Sequence, residues 1–270
     1  MNIINIGDLV ARKSHGQDVY FRVVRIDIVR GKEPICILKG VMERLVVDAE
    51  LNDLVKLEAG KVEQSRTRYF SDVRSHFSKS DYLISRYYRT RNGIPGKILH
   101  LDGDEEFMNL CLGLYRDAGI KCVGKAMEER KQPEYVTALL RENNPDILVL
   151  TGHDAMKKDE DGKDSINNYR SSRYFIQAVQ AARRYEPNPD RLCIWAGACQ
   201  SYFEEIMKAG SNFASAPGRI LINALDPALV AEKVAVTDRY RVVTPLEAAR
   251  VTRSGSQGVG GINTKGKKKN

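Results

Sequence analysis

Short apolar runs recur along the second two-thirds of the chain: "KILHL", "DILVL", "RLCIWA" and "RILINAL" all fall between residues 97 and 225. They are apolar at consecutive rather than alternate positions, the pattern of strands buried on both faces. "KCVGKAM" reads as a further strand. Between the runs, "EEFMNLCLGLYRDAGI", "PEYVTALLRENNP" and "RYFIQAVQAARRY" space their apolar residues three and four apart. The first stops at a glycine and the second before Pro145. Strand, helix, strand in repetition predicts a mostly parallel sheet with helices on both faces, an α/β domain over residues 96–252.

The first 60 residues follow a different rule. "DLVARKS", "DVYFRVVRIDIV", "PICILKGV" and "RLVVDAEL" are short β segments between the turn signals "HGQD" and "RGKE". Their Gly-Asp start and alternating Val resemble SH3-like, KOW or Tudor barrels, so residues 1–60 are expected to form a small SH3-like β-barrel. Residues 61–95 carry Arg66, Arg68, Arg74, Lys79, Arg86, Arg89 and Arg91 among Ser and Tyr and read as an exposed basic connector with some helix. Residues 253–270, Gly-rich and ending in a lysine run, read as a disordered basic tail.

With 270 residues, a net charge of +8 and a pI near 9.2, the chain is neither disordered nor acidic. Its charge suits nucleic acid, an acidic protein surface or simple solubility. No run reaches the ~18 apolar residues of a membrane span and no signal peptide opens the chain, so it is expected in the cytoplasm, away from membranes. The cysteines are Cys36, Cys111, Cys122, Cys193 and Cys199, an odd and scattered set without a CxxC pair. That favours free thiols over disulfides or a zinc site, and no metal or cofactor is expected.

Ligands of such sheets sit at the carboxyl ends of the strands. One run delivers Asp102 and Asp104, the next His153 and Asp154, and the third Cys199. A Cys and a His on adjacent strand ends form a nucleophile and base. Gly197 and Ala198 let the chain turn sharply and leave the Cys199 amide open to a developing oxyanion. A helix beginning just after Cys199 would favour the thiolate. Cys193, between Leu192 and Ile194, reads as core, and either thiol on its own would read as a small buried hydrophobe. The separation of His153 from Cys199, 199 − 153 = 46 residues, is close to the ~50 of caspases.

The blocks "DILVLTGHD" and "RLCIWAGACQS" resemble the caspase-like superfamily of cysteine peptidases, in which one strand precedes the catalytic His and another precedes Ala-Cys. Residues 1 to about 255 further resemble a family of sporulation-specific peptidases from spore-forming Firmicutes. The resemblance implies a cysteine endopeptidase that cleaves after Arg. Its substrates would be spore coat and cortex-associated proteins in the mother cell, and it would associate with the forming coat. It assigns Cys199 as nucleophile, His153 as general base, and the amides of Cys199 and Asp154 as oxyanion donors. The family has Gly where Asp154 stands, so that carboxylate must point away or bind a substrate cation. Arg in the S1 pocket needs a carboxylate. Asp104 is the first choice with Asp102 beside it, and Asp226 the second, with Asp238 further on; Asp102-Gly103-Asp104 would otherwise cap the following helix. Asn167, Asn168 or Tyr169 would add substrate contacts. An Arg-rich connector in an Arg-specific enzyme predicts self-cleavage between Arg66 and Arg91. The alternative is a non-catalytic barrel and flavodoxin-like module that grips nucleic acid or spore proteins through the connector.

Overall fold

A computed structural model describes residues 3–72, 93–157 and 164–269. Strands β1 (Leu9–Arg12), β2 (Phe21–Asp27), β3 (Ile35–Gly40), β4 (Val46–Glu50) and β5 (Leu54–Lys56) form one antiparallel sheet in the order β4-β3-β2-β1-β5. Alternate residues turn inward, placing Val10, Phe21, Val23, Cys36 and Leu38 in the core. Among the described residues β4 and β5 do not pair, so the sheet is open where a closed barrel was expected. The connector, expected to be exposed with some helix, does begin as a helix, since residues 59–72 form α1, but this part is not fully exposed. It buries Val62 and Phe70, and Phe70 meets Phe107 edge to face at 6.4 Å. The rest of the connector, 73–92, lies outside the described residues.

The second sheet contains β6 (Ile98–Asp102), β7 (Cys122–Ala126), β8 (Ile147–Thr151), β9 (Cys193–Ala196), β10 (Phe213–Ser215) and β12 (Val259–Gly261). Their order is β12-β10-β9-β8-β6-β7, with every pairing parallel except that of β12 with β10. The period of two splits each buried run between two cores. Ile98, Ile147, Val149, Cys193 and Trp195 face α2 (Glu105–Asp117) and α6 (Asp226–Val236). Leu99, Leu101, Leu148, Leu150 and Ile194 face α3 (Gln132–Asn143), α4 (Ser172–Tyr185) and α5 (Phe203–Lys208). Helices therefore cover both faces, the arrangement that consecutive apolar runs require. No helix among the described residues is long and apolar enough to cross a membrane.

Two sequence expectations are corrected. "RILINAL" is not a strand of the sheet: left-handed Ala216 and Arg219, on either side of Pro217-Gly218, turn the chain out after β10. Residues 219–225 then cross the end of the sheet, where Asn223 bridges to Glu43. The basic tail is also ordered. After α7 (Pro245–Arg250), α8 (Gly255–Gly258) leads into β12 on the sheet edge, and β13 (Thr264–Lys265) pairs with β11 (Val242–Val243). Three lysines find acceptors far away in sequence: Lys267 Nζ donates to the Asp190 carbonyl at 2.6 Å, Lys265 pairs with Asp190 at 2.8 Å and Lys269 with Asp146 at 2.7 Å. Composition signalled charge, but these charges have fixed partners. Truncation after Arg253 is therefore expected to lower the melting temperature by roughly 6–12 °C, the shift that a loss of ~3 kcal/mol gives a chain of this size. A thermal melt by circular dichroism checks it; an unchanged melt would make β12 and β13 dispensable.

Candidate functional site

Strands β6, β8 and β9 lie side by side in the sheet, so their carboxyl ends release three loops at one edge. The β9 loop turns at Gly197, whose φ of +111° and contact with the Ser215 hydroxyl leave no room for a Cβ. Left-handed Gln200 (φ 54°) closes the turn, and Cys199 between them is fully buried. α5 begins only at Phe203 and spans 6 residues, so burial rather than a helix dipole governs this thiol. Burial pushes Cys199 well above the ordinary thiol range, with the Ile222 amide donating to Sγ at 3.3 Å. Cys193, inside β9, is likewise pushed up to about 12 by burial.

The β8 loop places His153 against the Phe107 ring, stacked at 5.6 Å. Its backbone N–H donates to Glu129 Oε1 at 2.7 Å, and among the described residues neither ring nitrogen has a hydrogen-bond partner. Burial, then repulsion from Lys39, lowers its pKa to about 4, so the ring is neutral. Asp104 Oδ2 lies 3.9 Å from Nε2. Next along, the Asp154 carboxylate accepts from Ser172 Oγ (2.5 Å), Ser201 Oγ (2.9 Å) and the amides of Ser171 (2.7 Å) and Ala155 (2.9 Å). This cage turns the charge away from its own backbone N–H. Through Ser201 it also ties the His153 loop to the Cys199 loop.

One residue from the first sheet joins the three loops. Arg44, in the β3–β4 turn, is fully buried, and its carbonyl oxygen accepts from both the Cys199 amide (3.2 Å) and the Asp154 amide (3.2 Å). Its guanidinium pairs with Asp102 Oδ1 at 2.9 Å, donates through Nε to the Ala224 carbonyl at 3.0 Å, and lies 5.1 Å over the Phe107 ring. Asp102 is itself anchored: His100 Nε2 lies 3.2 Å from its Oδ2, and His100 Nδ1 lies 3.0 Å from the Tyr115 hydroxyl. Burial keeps His100 neutral, which makes Nε2–H the donor to Asp102 and Nδ1 the acceptor from Tyr115. Burial alone would raise the Asp102 pKa, but the Arg44 charge and the His100 hydrogen bond outweigh it and hold the carboxyl far below the usual range.

The structure thus gathers the amides of Cys199 and Asp154 and the carboxylate of Asp102 around Arg44, keeps Asp104 near the His153 ring, and engages Asp226 and Asp238 in other contacts. Asp104 caps α2, accepting from the Phe107 amide at 3.1 Å. Asp226, pushed up to about 6 by burial, accepts from the amides of Arg253 (3.0 Å) and Asn223 (3.2 Å) and from Ser254 Oγ, fastening the segment before α8 onto α6. Asp238 accepts from the Tyr240 amide at 2.9 Å. Tyr169 stacks on Tyr202 at 4.8 Å and accepts from Arg219 Nε at 2.9 Å, while Asn167 accepts from Arg173 at 3.2 Å. The Asn168 carbonyl accepts from the Lys157 amide at 2.7 Å. Sequence reasoning missed Arg44, Glu129 and the His100–Tyr115 support. His100 carried a usable signal, since a lone polar residue within an apolar strand must find a buried partner. Among the described residues no group of three or more His, Cys, Asp or Glu side chains is placed to hold a metal ion.

Beside Arg44, Glu43 is mostly buried and its Oε2 has no partner among the described residues. Burial raises its pKa from 4.5 to about 7; Arg253 and a Tyr69 hydrogen bond oppose the shift, and Asp18 adds to it. Between those values the folded chain holds a proton that the unfolded chain has released, so stability falls as pH rises through that window and stays lost above it. Glu43→Gln is expected to gain roughly 3 kcal/mol at pH 8 and far less at pH 5, from 1.36 kcal/mol per unit. Denaturant titrations at the two pH values check this; an equal gain at both would place the Glu43 carboxylate in solvent.

Residues 5–270 match the family described as YabG peptidase U57. The chain is also 40% identical over 277 residues to the sporulation-specific protease YabG of Bacillus subtilis (strain 168), covering 97% of this chain and 95% of that protein.

Proposed function

The chain belongs to the YabG peptidase family and is a sporulation peptidase; from that premise we propose that it is a caspase-like cysteine endopeptidase cutting after Arg, with Cys199 as nucleophile and His153 as its proton carrier. The observation that carries this reading is Arg44. Its carbonyl oxygen is held by two backbone amides from two strand-end loops, and its guanidinium lies on a buried carboxylate. Those are the contacts that a substrate arginine needs on the acyl side of a scissile bond.

In this reading the thiol proton passes to His153 as Cys199 Sγ attacks the carbonyl carbon. The amides of Cys199 and Asp154 receive the negative charge, and their 3.2 Å bonds to a neutral carbonyl shorten on the oxyanion. Asp104, near Nε2, opposes the charge of the transient imidazolium, which then protonates the leaving amine. Water hydrolyses the thioester. Asp102 supplies the S1 charge, with Phe107 and the Ala224 carbonyl shaping the pocket. A His after one strand and a Cys after its parallel neighbour is the order that supports the caspase-like class.

The substrates proposed are spore coat and cortex-associated proteins in the mother cell. Self-cleavage belongs to the same reading, but its expected place needs revision. Arg66 and Arg68 lie in α1, where Arg66 is paired with Glu106 at 3.0 Å and the backbone is helical rather than extended. Arg74 to Arg91 fall outside the described residues. The testing experiment is digestion of spore-coat extract followed by mass spectrometry of the new carboxyl termini. New termini should end in Arg with the wild-type protein and be missing with Cys199→Ala; termini spread over many residue types would remove the Arg specificity.

A further inference from the structure

We propose that the Arg44–Leu45 bond is a self-processing site, with the β3–β4 turn docked as the enzyme's first substrate; this rests on the peptidase reading above. The backbone is gripped on both sides of that bond. Before it, Glu43 bridges antiparallel to Asn223, and the Met42 carbonyl accepts from the Ala224 amide at 3.3 Å. After it, Leu45 bridges in parallel to Asp154, and the Val46 amide donates to the Asp154 carbonyl at 3.4 Å. Strand addition of this kind is how extended peptides are held by sheet edges and by enzymes that cut them. A buried Arg serving only as a structural ion pair would need its guanidinium satisfied, as Asp102 does. Its buried carbonyl would need only one donor of any origin, whereas here it takes two, the amides of Cys199 and of Asp154.

The turn is built to reach the site. The Gly40 amide donates to the Leu45 carbonyl at 2.8 Å, closing a tight loop, and a Cβ on Gly40 would collide with the Glu43 carbonyl. Any larger residue would push residues 42–45 off their docked course.

The step balances within the chain and one water. The Cys199 Sγ–H proton goes to His153 as sulfur bonds the Arg44 carbonyl carbon. The carbon–nitrogen bond to Leu45 breaks as His153 returns the proton to that nitrogen. Water then cleaves the thioester, leaving an Arg44 carboxylate, a Leu45 amine and the restored thiol. The cut does not separate the pieces, because β3 remains paired with β4 and β1 with β5. Residues 1–44 therefore keep shielding the site until they leave, and cleavage of other proteins lags behind the self-cut.

Intact mass spectrometry under denaturing conditions and hydrolysis of an Arg-containing peptide, run on the same full-length samples, test this. Wild type should yield fragments 1–44 and 45–270 at a first-order rate independent of protein concentration, and Cys199→Ala should remain whole. Arg44→Gln should stay uncut at this bond. Its initial rate on the peptide should be at least ~10-fold above that of freshly purified wild type, since a tethered occupant competes at about millimolar effective concentration. Arg44→Lys keeps the buried charge and, if Arg44→Gln fails to fold, gives the same comparison with a smaller effect. Cys199-dependent peptide hydrolysis without a 1–44 fragment would overturn the inference and leave the peptidase standing. No Cys199-dependent hydrolysis of either kind would remove both.

Discussion

Cys199→Ala is expected to abolish proteolysis, lowering kcat/KM on an Arg-containing peptide by a factor on the order of 10⁴ or more, because loss of the nucleophile leaves only binding and the oxyanion amides. Cys193→Ala is expected to keep activity within about threefold. The two thiols lie six positions apart, both are buried and both have raised pKa values, so neither burial nor acidity distinguishes them. Their surroundings do. Both belong to the same apolar core, but Cys193 lies inside β9, whereas Cys199 follows the Gly197 turn and its amide meets the Arg44 carbonyl. Removing the Cys193 sulfur is a core truncation that costs about 1 kcal/mol of stability. Circular dichroism at matched concentration separates that loss from catalysis. Full activity in Cys199→Ala would remove the assigned nucleophile.

Asp102→Asn is expected to lower kcat/KM for Arg peptides by roughly 30-fold to several thousand-fold, the range of 2–5 kcal/mol found when one partner of a buried charge pair is lost. The amide keeps the shape and one acceptor oxygen but not the charge. His100 cannot compensate, since burial keeps it neutral and its Nε2 proton already points at residue 102. The loss should be specific to the residue before the cut, so the variant's relative rate on Gln over Arg peptides should rise. Asp226→Asn, whose carboxylate fastens the Arg253–Ser254 segment to α6, should leave the preference for Arg in place. Arg preference lost in Asp226→Asn but kept in Asp102→Asn would reverse the pocket assignment. Because Asp102→Asn leaves the Arg44 guanidinium without a counter-charge in the uncut chain, a lower melting temperature should accompany the kinetic effect.

The second sheet was legible because both its faces are covered. Consecutive apolar residues such as Ile147–Leu150 have no other low-energy place, and the strand ends then point to Asp102, His153 and Cys199. "RILINAL" misled for the same reason: an apolar run reports burial, and this one is buried against the docked turn rather than within the sheet. The choice between Asp102 and Asp104 turned on two residues of chain, and only the strand register and the α2 cap decide which carboxylate faces inward. Arg44 was illegible. It stands 58 positions before Asp102, inside a segment that reads as an ordinary hairpin, and its partner is set by how the two sheets meet. The tail was misread because composition counts charges but not acceptors, and Asp190 and Asp146 wait in distant loops for Lys265, Lys267 and Lys269.

That tail bears on when the chemistry can begin. Residues 259–261 close the open edge of β10, and β10 flanks the strand whose loop presents Cys199. During synthesis these residues leave the ribosome after every other strand of their sheet, so the sheet that carries the cleft around Arg44 is completed by its last-made strand. A nascent polypeptide without β12 lacks the border of its sheet, and a protease active before that point would meet its own unfolded segments first. Because β12 follows every strand that it completes, synthesis of that strand sets the earliest point at which this sheet can be whole.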